Sequence, residues 1–444
     1  MLSSTASPDT APLATSSPAE RSRPAGTLSE APRDALIEGK APTDAPSAGW
    51  ISRGSADYRR AEAALFLAGF ASFSLIYCVQ PLLPAFALTF GISPAQSALP
   101  LSLTTGLLAV AIVLAGAFSQ ALGRRGLMFA SMALASLLNI AAAIVPSWHG
   151  LLVARALEGL VLGGVLAVAM AYLAEEIDPR HLAHTMGLYV AGTAFGGMMG
   201  RVGMGVLTEW VSWRAALGCL GALCLLSAIG FLVLLPRSRH FTPQPGLQIR
   251  YNLRAWAGHL RHRGLLRLFA IGFLLTSIFV TLFNYATFRL SGAPYGLSQT
   301  QISLMFLVFG FGIVSSSVAG RLADRLGRRG LLAAGFAFML GGTLLTLSPS
   351  LWAVFAGIAL VTTGFFIGHS IASSSIGPLA GLTKGHAASL YLWFYYMGSS
   401  VVGSVGGWFW QHGGWVAIVV LTGALAALGM GVSAAGQRSS AATA

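Results

Sequence analysis

The sequence predicts an all-α membrane protein with about twelve transmembrane helices arranged as two six-helix bundles. Of the 444 residues, 55% are hydrophobic and only 9% are charged, whereas soluble domains carry roughly a quarter charged residues. About twelve apolar segments have the ~20 residues that a helix needs to cross a bilayer. A basic, glycine-rich turn occurs once in each half of the chain, which indicates two similar bundles.

The ends of the chain and its middle are more polar than the rest. Residues 1–58 are rich in Ala, Pro, Ser and Thr, and such a composition buries too little apolar surface to fold. We therefore expect a disordered cytoplasmic tail over 1–58, a first bundle over 59–236 and a cytoplasmic connecting loop over 237–264. A second bundle is expected over 265–436, followed by a cytoplasmic tail over 437–444.

The membrane-spanning segments are predicted from apolar runs that basic or glycine-rich turns interrupt. Lipid offers no partner to backbone polar groups, so each segment is expected to be helical. The predicted segments are 61–86, 96–119, 127–146, 151–174, 183–207, 214–236, 265–289, 299–320, 330–348, 351–372, 385–409 and 414–434.

The distribution of arginine predicts the orientation. Basic residues concentrate in the loops on one side of the predicted bilayer, while the other side holds only Arg214 and Arg289. Because cytoplasmic loops carry the excess of Lys and Arg, we expect both termini to be cytoplasmic. The same placement argues against a nucleic-acid partner despite a net charge of +13. No nucleotide-binding loop or metal-ligand spacing is present, so no cofactor or metal is expected.

The two halves of the chain repeat. The turn at 116–126 recurs at 320–330, and residues 90–96 are similar to 295–301. Both copies begin on the same side of the membrane, which indicates a parallel repeat. Transporters with internal repeats bind their solutes near the bilayer midplane, at the interface between the repeats.

These motifs resemble those of the major facilitator superfamily. Residues 320–329 match the loop signature G-x-L-a-D-R-x-G-R-R in full, whereas the first copy has Gln120 and Ala121 at the acidic and first basic positions. Residues 155–159 resemble the fourth-helix signature R-x-x-[Q/E]-G. Residues 192–201 are similar to the antiporter signature G-x-x-x-G-P-x-x-G-G.

The resemblance covers about residues 60–435 and extends to one branch of the family. Residues 77–84 and 172–177 resemble the acriflavine-sensitivity (YnfM-type) branch of bacterial inner-membrane exporters, which are drug:proton antiporter-like. In the antiporter signature, however, Gly197 replaces the proline and Arg201 the last glycine. The resemblance implies a bacterial inner-membrane transporter, and we expect it to be monomeric.

The two basic turns are candidate gate elements. In the superfamily this loop latches the two halves together on the cytoplasmic side, and the resemblance carries that role to this chain. The candidate gate residues are Gly116, Gly123, Arg124, Arg125, Gly320, Asp324, Arg325, Gly327, Arg328 and Arg329. Asp324 is expected to be ionised and paired with the arginines around it, and Glu175 and Glu176 are expected to face the first turn. The alternative is a solvated loop that only sets topology.

Glycines recur every four residues in the fifth segment, at Gly192, Gly196 and Gly200. This spacing lets two helices pack backbone to backbone. The resemblance to the antiporter signature implies that these glycines, together with Gly197, also act as a hinge.

Charged residues inside the predicted membrane are candidate site residues. Arg155 and Glu158 lie three residues apart, on one face of the fourth segment. Intramembrane charges usually face a cavity or a partner, so this pair is expected either to bind substrate and protons or to neutralise itself structurally. Arg201 is expected either to join the pair or to extend to the outer interface.

Polar and aromatic side chains suggest where a cavity lies. Tyr77 and Gln80 on the first segment and Asn284 on the seventh lie on polar stripes, and the resemblance implies that these two helices line the cavity. The alternative is that these groups are satisfied within the bundles. Tyr395 and Tyr396 on the eleventh segment could line an adaptable wall for an amphiphilic or cationic solute, or pack against lipid.

Two residues are candidates for proton coupling. Glu158 is the acid predicted to lie deepest in the membrane, where burial favours the neutral form and Arg155 the charged form. His369 is the second candidate because imidazole exchanges protons near neutral pH. A satisfied structural histidine is the alternative.

The sequence therefore predicts a secondary transporter, not an enzyme, that works by alternating access. Proton-coupled efflux of a small organic compound or drug is the preferred function, with solute, protons and membrane lipid as partners. The alternative is a proton symporter that imports a small organic anion, attracted by Arg155 and Arg201. A channel or a membrane-embedded enzyme is more remote, because no converging set of catalytic groups is visible in the segments.

Overall fold

The computed structural model describes the backbone of residues 50–240 and 249–435, and their side chains except those of 116–122, 183 and 324. Most of the predicted N-terminal tail and all of the tail at 437–444 therefore lie outside the described residues.

Within the described ranges the chain is built of helices, and the one β contact is an isolated bridge between Ile51 and Ile177. The helices of the first half are α1 (Ala56–Tyr77), α2 (Leu83–Phe90), α3 (Pro94–Ser97), α4 (Leu99–Leu122), α5 (Arg124–Ile144), α6 (Trp148–Glu176), α7 (Leu182–Trp210) and α8 (Trp213–Leu234). Those of the second half are α9 (Ile249–Arg261), α10 (Arg263–Ser291), α11 (Gln299–Leu304), α12 (Phe309–Leu326), α13 (Arg328–Leu345), α14 (Leu351–Ser374), α15 (Ile376–Leu379), α16 (Lys384–Met397) and α17 (Gly403–Ala434).

Each predicted segment coincides with helix. Eight helical runs among the described residues are long and apolar enough to cross a membrane. The run at 384–434 contains two predicted segments, because Gly414 breaks the helix with φ 57° and ψ −145°. The remaining three segments correspond to α4, α7 and α13. The prediction of an all-α fold is confirmed.

The internal repeat is visible in matching helix ends. Gly123 and Gly327 separate the helices of the two basic turns with φ of 74° and 73°, a left-handed conformation that glycine adopts without steric cost. At the other end of the bundle, Ser93 and Ser298 each begin a helix with a capping box. We call the end with the two arginine turns the basic face, and the end with the two capping boxes the opposite face.

The helices of each half pack mainly on one another. In the first half α1 packs on α7, α4 on α6, and α5 on α6 and α8. In the second half α10 packs on α16 and α17, and α13 on α14 and α17. The halves meet where α4 packs on α16, α7 on α11, and α3 on α17.

Two stretches outside the predicted segments are ordered. The connecting stretch contains α9, to which the sequence analysis assigned no helix; it is held to the start of α16 by a 2.9 Å hydrogen bond between Asn252 Oδ1 and His386 Nε2. Near the beginning of the described chain, Ile51 donates its N–H to the Glu176 carbonyl at 2.9 Å and accepts from the N–H of Asp178 at 3.2 Å. This contact ties the approach to α1 to the end of α6.

Candidate functional site

The site begins at a break in the first membrane-spanning segment. α1 ends at Tyr77, a short 3-10 turn covers Gln80–Leu82, and α2 starts at Leu83. Pro81 in this turn has no N–H to donate to the preceding helical turn and therefore interrupts the helix. Gln80 is the first residue of this turn and is 1% exposed.

Gln80 joins the two halves of the molecule. Its Nε2 donates to Asn284 Oδ1 on α10 at 2.7 Å, and both residues are buried. The amides of the two predicted polar stripes thus bond to each other across the boundary between the halves, and their role in lining a cavity stays a prediction. Asn284 Nδ2 and Thr281 Oγ1, one helical turn apart on α10, are buried without a hydrogen-bond partner in the described part of the chain.

Arg201 on α7 contacts Gln80 from the other side. Its Nε donates to Gln80 Oε1 at 2.6 Å, and Nη1 donates to the Gly197 carbonyl. Its Cζ lies 4.0 Å from the centroid of the Tyr77 ring. Two rings of the second half complete the surroundings, with centroids at 4.9 Å for Phe309 and 5.2 Å for Phe306. We call Tyr77, Gln80, Arg201, Asn284, Phe306 and Phe309 the interface cluster.

Both expectations for Arg201 are wrong. It does not extend to the outer interface, since only 1% of it is exposed. Its described contacts do not include Arg155 or Glu158 either. The physical reason is that α7 packs against α1, which directs Arg201 toward the break in α1 and the second half.

Arg155 and Glu158 form a separate group inside the first half. Arg155 Nη1 donates to Glu158 Oε2 at 2.6 Å, and both residues are 0% exposed. Nη1 also lies 3.3 Å from Asn139 Oδ1 on α5. Nη2 donates to the carbonyls of Leu75 and Ile76 at 3.0 and 2.9 Å. Carbonyls at the end of a helix lack intrahelical partners, so Arg155 caps the last turn of α1.

This geometry supports the structural alternative for the Arg155–Glu158 pair. Within the described residues, however, Glu158 Oε1 and Arg155 Nε have no hydrogen-bond partner although both are buried. Their roles in substrate binding and proton coupling stay predictions.

The fifth-segment glycines bring α7 and α1 together. A Cβ atom added to Gly192, Gly196 or Gly200 would lie 2.7, 2.2 or 2.7 Å from the nearest backbone atom of α1. The Ser74 hydroxyl of α1 also donates to the Gly196 carbonyl at 3.0 Å. Gly197 lies elsewhere: the atom nearest to its added Cβ is Arg201 Nη1, at 3.3 Å.

An aromatic group in the second half surrounds His369. The Nδ1 atom of His369 lies 2.9 Å from the Tyr391 hydroxyl. The His369 ring stacks on Phe365 with 5.8 Å between centroids and lies 4.8 Å from the Tyr395 ring. Tyr395 in turn contacts Tyr396, which is 1% exposed. His369 has a hydrogen-bond partner, and its role as a proton relay stays a prediction.

The two basic turns have different partners. Arg124 binds Glu175 with two hydrogen bonds, Nη2 to Oε1 at 2.6 Å and Nε to Oε2 at 3.0 Å, which is the pairing expected for this arginine. Arg125 donates to the Leu232 carbonyl instead of a carboxylate. In the second turn, Arg328 Nη1 donates to Ser374 O at 3.2 Å and Ser375 Oγ at 3.0 Å. The side chain of Asp324 lies outside the described residues.

Comparison with known proteins identifies the family. The model of the Major Facilitator Superfamily matches residues 65–292 and 290–438. This chain belongs to the major facilitator superfamily. Its homologues are membrane transporters, so the protein is a transporter and not an enzyme.

Two relatives of this major facilitator protein are more than 40% identical to it over the aligned residues. Inner membrane transport protein YnfM of Escherichia coli (strain K12) is 46% identical over 370 residues, covering 82% of this chain and 88% of the relative. The uncharacterized MFS-type transporter YybF of Bacillus subtilis (strain 168) is 44% identical, covering 83% and 91%. These similarities support a transporter of the YnfM type.

A solved structure supports the fold of this major facilitator protein. The human organic anion transporter MFSD10 superimposes with a TM-score of 0.66 at 18% sequence identity, covering 84% of this chain and 99% of that chain. At this identity the likeness concerns the fold alone.

Sequence reasoning missed several partners in this transporter. Asn139 bridges two helices, since its Nδ2 donates to the Leu217 carbonyl at 2.8 Å, and an amide in an otherwise apolar segment was the available signal. Phe306 and Phe309 carried no such signal, because phenylalanine is common throughout the segments. Only the packing of α11 and α12 near α7 brings these rings to Arg201.

Proposed function

We propose that this transporter works by alternating access and exports a small organic compound in exchange for protons. The observation that carries the proposal is the interface cluster. Gln80 and Arg201 come from the first half and Asn284 from the second. Arg201 binds Gln80 within the first half, and the hydrogen bond from Gln80 to Asn284 crosses the boundary between the halves. Rocking of one bundle against the other would make and break this crossing bond, so the exposure of a solute site here would change during the transport cycle.

The contacts between the halves support a state that is closed at one face. Hydrogen bonds across the boundary link Ser400 to Ser102 at 2.7 Å, and Thr300 to Glu209 at 2.6 Å. These residues lie between the centre of the molecule and the opposite face. The basic face is the cytoplasmic one if the excess of arginine follows the usual rule. The conformation is then closed to the outside.

The two basic turns are proposed as the cytoplasmic gate. When the opposite face opens, the turns at 116–126 and 320–330 would come together, and Asp324 would supply the acid that the first turn lacks. Asp324→Asn is expected to slow transport several-fold without loss of the protein from the membrane. Equal flux of this variant and the unmodified protein, at equal abundance, would reject the gate role.

Proton coupling is proposed to involve Glu158, with His369 as the second candidate. The Glu158 carboxylate is fully buried, with one oxygen bonded to Arg155 and the other without a hydrogen-bond partner among the described residues. It can therefore accept a proton without losing its existing hydrogen bond. A shift in the packing around Arg155 would change the balance between the charged and neutral forms of the Glu158 carboxylate.

Vesicle flux tests the proposed coupling. A transported compound is first found by a thermal-shift screen of the purified protein. Glu158→Gln is expected to retain counterflow of this compound, normalised to folded protein, but to lose accumulation driven by a pH gradient. Glu62→Gln, which changes an acid near the start of α1, is the matched control and is expected to retain both. If neither Glu158→Gln nor His369→Gln affects pH-driven accumulation, coupling through these residues is rejected.

Import of an organic anion is the second candidate function, and the buried Arg201 favours it. The direction of coupling separates the two candidates. An antiporter accumulates its solute inside vesicles whose lumen is more acidic than the medium, whereas a symporter does so when the medium is more acidic. The sign of the required gradient therefore decides between them.

A further inference from the structure

Arg201 is a buried cation without an acidic partner in the part of the chain that the structure describes. It is 1% exposed, and among the described residues its polar contacts are the Gln80 amide oxygen and the Gly197 carbonyl. Neutral dipoles and aromatic rings offset only part of the cost of removing a charge from water. Arg155, the other fully buried arginine near the centre, has Glu158 as its partner. The interface cluster therefore carries a net positive charge.

The interface cluster also has more hydrogen-bond donors than acceptors. Arg201 Nη2 makes no hydrogen bond within the described part of the chain. The Nδ2 atom of Asn284 is a buried donor with no partner among the same residues, and the Thr281 hydroxyl next to it on α10 is also unpartnered. The acceptors of Gln80 and Asn284 are already used, by Arg201 and Gln80 respectively. A ligand that complements these groups supplies negative charge and acceptor oxygens.

The walls of the cluster suit an apolar body. The Tyr77, Phe306 and Phe309 rings surround the guanidinium, with centroids within 5.2 Å of Arg201 Cζ. Aromatic walls with a few convergent polar groups are typical of pockets for small organic molecules.

We propose that the solute of this transporter is a small organic anion whose carboxylate or sulfonate binds Arg201, with its apolar part against these rings. The inference rests on the proposed function and names its substrate class; it holds for either direction of transport. The anion neutralises Arg201, so closing the two halves over a loaded site buries an ion pair instead of a lone charge.

The experiment compares charge variants of the same molecules. Purified full-length protein in detergent is titrated with benzoate, hexanoate and benzenesulfonate. The uncharged counterparts are benzamide, hexanamide and benzenesulfonamide, and the cationic ones are benzylamine and hexylamine. At least one anion is expected to raise the thermal unfolding midpoint in a saturable manner, while its amide and amine counterparts do not.

Variants of Arg201 assign the effect to the site. Arg201→Gln is expected to weaken binding of that anion at least about tenfold, which is the low end for a lost charge-assisted hydrogen bond. Arg201→Lys retains the charge without the planar fork and is expected to be intermediate. Arg214→Gln is the control, because Arg214 donates to the carbonyls of Ala143 and Val145 near the opposite face, away from the cluster.

Each other outcome overturns the inference. Equal stabilisation by anion and amide, stabilisation by no anion, or unchanged anion binding in both Arg201 variants would each do so. Should both variants fail to fold, a protection experiment decides instead: in an Asn284→Cys variant that lacks Cys78, Cys219 and Cys224, the anion must shield the introduced thiol from a thiol reagent and the amide must not.

Counterflow separates the inference from the proposed function. Flux of a neutral or cationic compound that Arg201→Gln leaves intact rejects the anion site alone, whereas the absence of flux for every compound rejects the proposed function.

Discussion

Arg155 and Glu158 form an ion pair within the first half of the protein. The pair is sealed from solvent, and Arg155 also holds two carbonyls at the end of α1. Removing one partner of such a pair is costly, because it leaves the other charge buried and uncompensated. At the scale of single residues this pair therefore stabilises the break in α1, whatever its part in proton movement.

We expect Glu158→Gln to lower the free energy of unfolding by about 3 kcal/mol, since Arg155 then remains charged in a dry interior. The double variant Arg155→Gln/Glu158→Gln is expected to unfold at a higher temperature than Glu158→Gln alone. Thermal unfolding of the purified variants in one detergent measures both effects. A double variant whose loss equals the sum of the two single losses would show that the residues are not coupled.

At the scale of helices, the packing of α7 on α1 positions the interface cluster. The two helices approach so closely that a single methyl group on the contact face of α7 would overlap the α1 backbone. This contact fixes the orientation of α7 about its own axis, so that Arg201 faces Gln80 and Tyr77. The glycines therefore act on the site although they touch no solute.

We expect Gly196→Ala to destabilise the protein by about 1–3 kcal/mol, the usual cost of overpacking, because its Cβ would lie 2.2 Å from the Phe70 carbonyl. Gly203→Ala is the matched control on the same helix, since nothing lies within 4 Å of its added Cβ. This control should gain about 0.5–1 kcal/mol from the better helix propensity of alanine. Unfolding midpoints that move in the same direction for both variants would contradict the packing argument.

At the scale of the whole molecule, alternating access requires the halves to separate where they now touch. α4 contacts the stretch after α16, and a Cβ added to Gly106 would lie 3.4 Å from Ser400 Cβ. This distance is close to the range found in disulfides. A covalent bond at this position would join the two halves near the centre.

We expect Gly106→Cys/Ser400→Cys, in a chain lacking Cys78, Cys219 and Cys224, to form a disulfide on mild oxidation and to lose transport. A reductant should restore it. The control pair Ser131→Cys/Gly164→Cys lies within the first half, with 3.1 Å between the added Cβ and Ser131 Cβ, and its disulfide should leave transport intact. Full activity of the oxidised 106/400 pair would mean that this contact does not open in the cycle.

The family was predicted by the resemblance of three motifs to its signatures, and the helical membrane fold by apolar run length and the repeated basic turn. Both signals of the fold are local: a segment of ~20 apolar residues has no stable alternative to a helix in lipid, and at each basic turn a glycine with positive φ separates the two helices, a conformation that glycine adopts without steric cost. The polar residues Tyr77, Gln80 and Asn284 were recognisable because they interrupt otherwise apolar segments, although the break after Tyr77 takes Gln80 out of the α1 helix.

Which residues the buried charged side chains contact was decided only by the tertiary structure. Arg155, Glu158 and Arg201 are equally conspicuous in the sequence, but their spacing along the chain does not say which helices lie between them. The glycine contact of α7 with α1, together with the break at Pro81, separates Arg201 from the Arg155–Glu158 pair and sets it against Gln80 and the second half. The sequence by itself determined that charges lie in the membrane, and the packing of helices distant in the chain decided which of them is neutralised.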